Sequence, residues 1–520
     1  MHEQHSDHDV AVVGYGPVGQ GLALALAQRG HRVVILERHA AVYPLPRAIH
    51  IDHEGMRFYQ SLGLAGEVEA IMEPALVYEL YKADGSLLTR IPRTWRNPSG
   101  WSTAYHFYQP ELEALVDAAV RRNPNITLLH RHEVEGIVED ADGVTVQALH
   151  GEDDVQIRAK FVVGCDGANS TVREYLGTAQ EDLGFQATWQ AVDVTLDPGE
   201  DPLPVPDTGQ LCDPVRPTHM ASLGGGHYRW EFMSTETLPI EDASDHDSTW
   251  ERLSRWVTPA QGEIKRSALY TFRSLVAVDW ARGRVAIAGD AAHVTPPFLG
   301  QGMVSGLRDA WTLAWVLDVC LRHPEAIDDL LPRYTSMRRD NVRDYILEAI
   351  RYGEMICETD PEKARLRDAA MQEPVEDKGF TPPSTDFALA SPHAGLLARQ
   401  APATGDGRTA RLDDHIGTRF AVLVSGTTDP LDPRTIDTRL DASLVGVWSL
   451  DAHADAEAAA ALVIEDGWFW DWFGPPGEPA FAIVRPDRYV YATGPLSTLP
   501  QHLAQLATDL FGPTHQRSTS

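Results

Sequence analysis

The chain has 520 residues, with 44 Lys and Arg against 75 Asp and Glu, for a formal net charge of −31. At 43% hydrophobic and 23% charged residues it reads as a globular protein, long enough for roughly two to four domains. The acid surplus excludes nucleic acid, whose phosphates need a basic face, and an anionic membrane surface.

The polar, acidic N-terminus (MHEQHSDHD) reads as neither a signal nor a transit peptide, and its His2, His5 and His8 as a solvated tail rather than a metal site. Residues 9–14 (DVAVVG) form a short apolar run ending in glycine, the pattern of a fully buried parallel strand. Residues 17–29 follow with Leu22, Ala23, Leu26 and Ala27 at helical spacing, and Gly30 as the stop. Residues 32–37 (RVVILE) make a second buried strand, completing a βαβ unit. Residues 160–166 (KFVVGCD) and 284–290 (RVAIAGD) repeat the run-then-turn pattern, and all four strands are expected in one parallel sheet. Residues 78–90, 133–158 and 186–232 alternate instead, with hairpin-like turns such as Ala83-Asp84-Gly85-Ser86. They suggest a second sheet inserted between strands of the first.

Residues 303–322 and 333–358 read as long helices. After a break rich in Pro and charge (373–384) and a Gly/Pro stretch (402–407), residues 411–510 carry a smaller α/β pattern. Its strands fall near 420–424, 444–448 and 481–484. No run reaches the ~18–20 apolar residues of a membrane span. Cys165, Cys212, Cys320 and Cys357 form no CxxC and read as reduced thiols of a cytoplasmic protein. Lys82, Lys160, Lys265, Lys363 and Lys378 lie outside any GxxxxGK[ST] loop, which excludes P-loop chemistry.

Chemistry concentrates in a few turns. Gly14-Tyr15-Gly16-Pro17-Val18-Gly19 is a GxGxxG between a strand and a helix. Its glycines allow a tight turn, approach of a pyrophosphate to the backbone, and close packing of helix on strand. Glu37 ends the next strand, eighteen residues beyond Gly19, where a carboxylate accepts ribose hydroxyls. Glu37 beside Arg38 suits the adenosine of NAD or FAD alike. The segment 284–310 discriminates. Asp290, at the carboxyl end of a parallel strand, points into the ligand crevice and can accept from a polyol hydroxyl; an isolated aspartate there also serves as a simple turn cap. Gly300-Gln301-Gly302 then exposes N–H groups at the start of the Met303 helix, where a ring that becomes anionic on reduction is stabilised.

GYGPVG with Glu37, CDGANSTVR (165–173) and GDAAHVTPPFLGQGM (289–303) together resemble the FAD-dependent aromatic hydroxylases of the para-hydroxybenzoate hydroxylase type. The resemblance is to the 3-(3-hydroxyphenyl)propionate and polyketide hydroxylase branch, to which PRAIHIDHEGMR (46–57) and YQPELE (108–113) are also similar. It covers most of residues 8–345 and continues more weakly through RLDDHIGTRF (411–420), similar to the branch's thioredoxin-like C-terminal domain. That domain holds no cysteine here, so packing or a dimer contact is its expected use. Met337-Arg338-Arg339-Asp340 departs from the family pattern, which commonly has an acidic residue and a proline around paired arginines.

The resemblance implies an α/β fold: a Rossmann-like FAD-binding sheet (1–75, 105–185 and 276–400, the last with the long helices), an inserted β-sheet substrate domain (76–104 and 186–275) and the C-terminal domain (401–520). It implies that Gly14, Gly16, Pro17, Val18, Gly19, Glu37 and Arg38 hold the FAD adenosine and pyrophosphate, and that Arg47 and Gln109 approach the flavin and its phosphates. The Asp166-Gly167 turn, with Arg173, belongs to the motif associated with both FAD and NAD(P)H. Asp290 takes the ribityl chain, and Pro297, Gly300, Gly302 and Met303 the isoalloxazine edge. NAD(P)H binds transiently and reduces FAD, O2 adds to give a C4a-hydroperoxyflavin, and its terminal oxygen attacks a small phenol.

Candidate bases or phenol partners are His50, His106, His219, Tyr105 and Tyr228; His293 reads as a residue that holds its turn. Trp95, Trp101, Phe107, Trp230 and Phe298 are candidates for the ring pocket, and Arg47, Arg216 and Arg229 for a substrate carboxylate. Within this reading a phenylpropanoid acid competes with a polycyclic polyketide. A flavin oxidase, and a flavoprotein that sequesters a ligand, are the competing uses of the scaffold. The expected partners are substrate and O2, with no nucleic acid or membrane, and a second copy in a homodimer.

Overall fold

The computed structural model describes residues 8–371, 382, 386–425, 436–448, 461–475 and 478–512. His2, His5 and all of the 373–384 break except Pro382 lie outside the described residues.

The four apolar runs lie side by side in one sheet. His8–Val13 pairs in parallel with Val33–Glu37 on one side and Asp153–Gly164 on the other, and Val285–Ile287 continues the order. Ile126–His130 adds a further parallel strand beside Val33–Glu37. Val10, Ala11, Val12, Val33, Val34, Val162 and Val163 are wholly buried, which is why these strands are apolar without alternation. Helix Pro17–Gln28 packs on this sheet and against helix Gly302–Arg322. Helix Ile327–Ile356 packs on the latter in turn. Because the strands are parallel and in register, the turns after Val13, Glu37, Gly164 and Ile287 meet at one edge.

One expectation is corrected. Residues 133–158 do not join the second sheet. Val144–His150 pairs antiparallel with the first half of Asp153–Gly164, and His132–Glu139 antiparallel with Val144–His150, extending the first sheet. That twelve-residue strand serves two environments: its start alternates between exposed and buried residues, and its end is continuously buried.

The second sheet has seven strands, in the order Gly262–Phe272, Ala187–Leu196, His227–Met233, Thr218–Ser222, Thr208–Leu211, Val77–Tyr81 and Leu87–Pro92. Its register puts Gln210 opposite His219 and Asp193 opposite Arg229. One face turns Tyr228, Trp230 and Phe232 against the segment around helix His246–Leu253. A small sheet of His50–Asp52, Ala104–Phe107 and Met72–Pro74 puts His50 opposite His106.

Among the described residues the C-terminal domain holds a seven-stranded mixed sheet. Phe420–Ser425 runs parallel to Ala442–Trp448 and antiparallel to Ala480–Val484, which turns back into Val490–Pro495. Helix Gly467–Phe473 buries Phe469, Trp470, Trp472 and Phe473 in its core. Among the described residues no helix is long and apolar enough to cross a membrane.

Candidate active site

The meeting edge of the parallel strands opens into a cavity of about 510 Å³, walled opposite by the second sheet. Its first part is made largely of backbone. A Cβ on Gly14 would stand 2.4 Å from the Cys165 carbonyl oxygen, and one on Gly19 2.2 Å from that of Gly14, so both are needed for the strands and helix to meet. A Cβ on Gly16 meets nothing within 4 Å: it would fill the open space before helix Pro17–Gln28. That is the space a pyrophosphate needs, facing free N–H groups. Glu37 is held at this end by the backbone, its carboxylate accepting from Tyr15 N (2.9 Å) and His39 N (2.7 Å). Arg38 lines the same end.

Gln109 is buried and fastens the adjoining loop. Its carbonyl accepts from Arg47 N and Ala48 N, both at 2.6 Å, while its amide donates to Glu113. Burial pushes the Glu113 carboxyl up to about 7. The Arg47 guanidinium lies 4.2 Å over the Tyr43 ring. In the Asp166-Gly167 turn, Asp166 accepts from Ser170 Oγ at 2.5 Å and from Val172 N at 3.2 Å, and burial raises its carboxyl. Arg173 bridges this turn to the next by donating to the Ala168 and Ala291 carbonyls.

Asp290 lines the cavity with its side chain open to it, and the surrounding protein raises its carboxyl. Beyond it Pro297, Gly300, Gly302 and Met303 form one wall. Gly300 takes a left-handed φ of +65°, and a Cβ there would stand 2.6 Å from His50 Nδ1. At Gly302 a Cβ meets nothing, leaving the start of the Met303 helix open. His293 is fully buried, pairing through Nε2 with Asp309 at 2.7 Å, and Arg338 holds the other Asp309 oxygen at 2.8 Å. This agrees with a turn-holding His293. It also gives Arg338, in the divergent Met337–Asp340 segment, a structural task, while Arg339 pairs with Glu181.

The far end is built from side chains. His50 Nδ1 donates to the Gly300 carbonyl (3.3 Å). His106 Nδ1 donates to the Ser222 carbonyl (3.0 Å), and its Nε2 accepts from Thr208 Oγ1 (3.1 Å). Gln210 Nε2 donates to His219 Nδ1 (3.0 Å). Burial, reinforced by the charge of Arg93 at His50 and of Arg229 at His219, holds His50 down at about 4 and His219 at about 3, and burial puts His106 well below the usual imidazole range. Trp189 Nε1 and Gln210 Oε1 are among the buried polar atoms of the cavity lining with no partner among the described residues, although buried polar groups are ordinarily satisfied.

A family model described as the FAD binding domain matches residues 7–349, and one described as the HcaD C-terminal domain matches 398–509. A "Probable NADH-specific resorcinol 4-hydroxylase" of Rhodococcus jostii (strain RHA1) is 34% identical, over 96% of this chain and 94% of the relative. The chain belongs to the FAD-dependent aromatic hydroxylases. A "3-(3-hydroxy-phenyl)propionate/3-hydroxycinnamic acid hydroxylase" of Mycolicibacterium smegmatis is 31% identical over 98% of this chain and 94% of its own. The flavin-dependent monooxygenase PieE, solved with FAD and substrate, shares the fold, with a TM-score of 0.79 at 21% identity over 98% of this chain and 100% of its own.

In this hydroxylase the candidate cofactor residues other than Gly19 line the cavity, and Gly19 lies behind them as the packing glycine. His50, His106 and His219 line it too. Tyr228 does not. It lies on the opposite face of its strand, its hydroxyl accepting from Leu203 N at 3.1 Å within the substrate-sheet core. Tyr105 is likewise turned away, its hydroxyl held by Ser102 N and Glu69. Arg216 donates to the Met233 and Leu238 carbonyls, off the cavity. Arg229 borders the cavity but is committed to Asp193 (2.7 and 2.8 Å) and to the Arg47 and Pro46 carbonyls. Of the proposed aromatics only Phe298 lines the wall, joined by Trp189, Phe272, Tyr270 and Tyr78, which sequence reasoning missed. The readable signal was alternation: in HYRWEFM (227–233) the apolar Tyr228, Trp230 and Phe232 mark the core face, and so assign Arg229 and Glu231 to the other.

Proposed function

We propose that this hydroxylase uses NADH and O2 to hydroxylate a small, uncharged phenol of the resorcinol type. The observation that carries this reading is the chemistry of the far end: three neutral imidazoles, an amide and an indole N–H, with Arg229 already paired and Arg93 stacked on the Tyr78 ring. Such a set recognises hydroxyl groups better than a carboxylate. When bound, FAD supplies reduction by the nicotinamide and activation of O2.

The chain's own residues do the rest. Gly14, Gly16, Pro17, Val18 and the helix behind them would seat the pyrophosphate, with Glu37 and Arg38 on the adenosine ribose. Arg47, Gln109, Asp166 and Gly167 would close over the middle, Asp290 would accept from the ribityl chain, and Pro297, Gly300, Gly302 and Met303 would border the ring. With its Nδ1 donating to Gly300, His50 keeps Nε2 as the acceptor for a phenol hydroxyl. With its Nδ1 accepting from Gln210, His219 presents Nε2–H as a donor. Arg93 lies over the Tyr78 ring at 4.7 Å, and its charge favours the phenolate. Phe298, Trp189 and Phe272 exclude water from the ring.

We also propose a cytoplasmic homodimer. All four cysteines are free thiols, which suits a reducing compartment. Sedimentation of the purified protein tests the dimer. The activity is tested by following NADH and NADPH oxidation with resorcinol, 3-(3-hydroxyphenyl)propionate and a polycyclic phenol, reading products by mass spectrometry. A resorcinol product heavier by one oxygen atom is expected. Turnover of the propionate alone would replace the proposed substrate class, and peroxide with unchanged phenol would make the protein an oxidase.

A further inference from the structure

The C-terminal domain reaches the flavin-side wall through one turn. Between strands Ala480–Val484 and Val490–Pro495, residues Arg485, Asp487, Arg488 and Tyr489 are at most 2% exposed, although they stand at the tip of a hairpin. The tip is buried because it inserts between two helices of the FAD-binding part. Thr312, on helix Gly302–Arg322, donates to Asp487 at 2.8 Å. Arg57, on helix His53–Ser61, grips Asp413 at 2.6 and 2.9 Å, and Arg488 shares that carboxylate at 3.0 Å. Arg488 holds a left-handed φ of +69°, a strained state that this pairing offsets.

From the same tip a buried chain of contacts runs to the cavity. Tyr489 Oη donates to Glu54 Oε2 at 3.0 Å. Glu54 Oε1 stands 3.2 Å from Arg308 Nη2, which also holds Asp52. Arg308 Nη1 donates to Gln301 Oε1 at 2.8 Å, and Gln301 Nε2 donates to Asp52 at 3.2 Å. Gln301 is the residue between Gly300 and Gly302, and Asp52 caps the helix that follows the His50 strand. Both ends of the Gln301 amide are therefore spent on orienting the turn whose backbone faces the cavity.

We propose that the C-terminal domain positions the flavin-side turn: Tyr489, acting through Glu54 and Arg308, fixes Gln301 and hence the backbone of Gly300 and Gly302. This rests on the reading above that this turn borders the flavin ring. Tyr489, Glu54 and Arg308 are positioning residues, since none touches substrate or cofactor. A thioredoxin-like domain without cysteines thereby keeps a use in the reaction, beyond packing.

The test compares Tyr489→Phe and Glu54→Gln with Thr312→Val, which loosens the same tip without touching the path to Gln301. All are made in the full-length flavin-loaded enzyme. Melting temperature, the flavin absorption spectrum and the share of NADH electrons recovered in hydroxylated product are measured together. Y489F is expected to cut that share about fivefold, the factor set by one lost hydrogen bond, with peroxide making up the balance and a shifted flavin spectrum. E54Q, which keeps an acceptor for Tyr489 but loses the charge facing Arg308, is expected to do the same. T312V is expected to lower the melting temperature alone. Unchanged coupling and spectrum in Y489F and E54Q, or equal losses in all three variants, would overturn the proposal. A wild-type enzyme that binds no flavin, or hydroxylates nothing, would instead sink the underlying functional reading.

Discussion

The two ends of the cavity are made of different material. The end at Gly14, Gly16 and Glu37 is a backbone surface: a turn, a helix N-terminus, and a carboxylate held by two N–H groups. The end at His219, Gln210 and Trp189 is a side-chain surface, laid out by the register of separated strands. A backbone site admits few substitutions and binds one kind of partner, a dinucleotide. A side-chain site can be rewritten residue by residue without disturbing the fold, which is how one scaffold serves several phenols.

The largest expected effect breaks the backbone end. Gly19→Val would drive a side chain into the Gly14 carbonyl, 2.2 Å from its Cβ. Overpacking of this kind costs about 1–3 kcal/mol or more, so a colourless, unstable protein is expected. Gly16→Ala should stay folded, since its Cβ meets nothing, and lose FAD affinity only. Flavin content and thermal melts separate the two. A yellow G19V protein with unchanged melting would show that the glycines are not what shapes this end.

Next in size is Asp290→Ala, which removes a charged acceptor midway between the ends. A hydrogen bond to a charged group is worth about 1.5–3 kcal/mol, or about 10- to 150-fold in FAD dissociation constant. Titration of apoprotein by flavin fluorescence measures it. An unchanged constant would reduce Asp290 to a turn cap.

The ends should also differ in how pH acts on stability. His219 is held at about 3 and His50 at about 4, against 6.5 for a free imidazole. From pH 6.5 down to about 4 the unfolded chain takes up protons that the folded chain refuses. The stability these groups contribute is therefore complete above 6.5 and lost as pH falls, at up to about 1.4 kcal/mol per unit for each. Glu113 behaves oppositely: raised from 4.5 to about 7, its contribution is complete below 4.5 and lost as pH rises toward 7. Melts from pH 4 to 8 should show the acid-side loss shrinking in His219→Gln and the loss toward pH 7 shrinking in Glu113→Gln. Identical profiles for both variants would mean that the two ends do not titrate separately.

The same contrast decides what could be read without a structure. Gly14, Gly16, Gly19 and Glu37 are contiguous or nearly so, and their spacing carries its own geometry. The place of Asp290 and the Gly300–Gly302 turn on the cavity wall was legible for the same reason. The pairing of His219 with Gln210, or of Arg229 with Asp193, depends on which strands are neighbours and in what register, and neither follows from local sequence. Residues 133–158 misled because alternation marks any half-exposed strand, including one that extends a buried sheet. Trp189 and Arg93 were missed because nothing near them in sequence marks them as facing the cavity.

The smallest predicted effect sharpens the comparison on one strand. Arg229 and Tyr228 are adjacent, yet one borders the cavity and the other lies in the core behind it. Tyr228→Phe removes the hydroxyl that accepts from Leu203 N and leaves that buried N–H unpaired. A loss of about 1 kcal/mol in stability is expected, with the ring packing kept. Turnover and KM for the phenol should not move, since the lost hydroxyl faces away from the substrate. A drop in turnover without a change in melting would place Tyr228 on the reacting side, and the phase of the whole strand would have to be reversed. Arg229 could then not hold the Pro46–Arg47 loop, so Arg229→Gln, which should otherwise weaken FAD binding, would leave it unchanged. Turnover of the first variant and flavin content of the second therefore test the strand's phase independently.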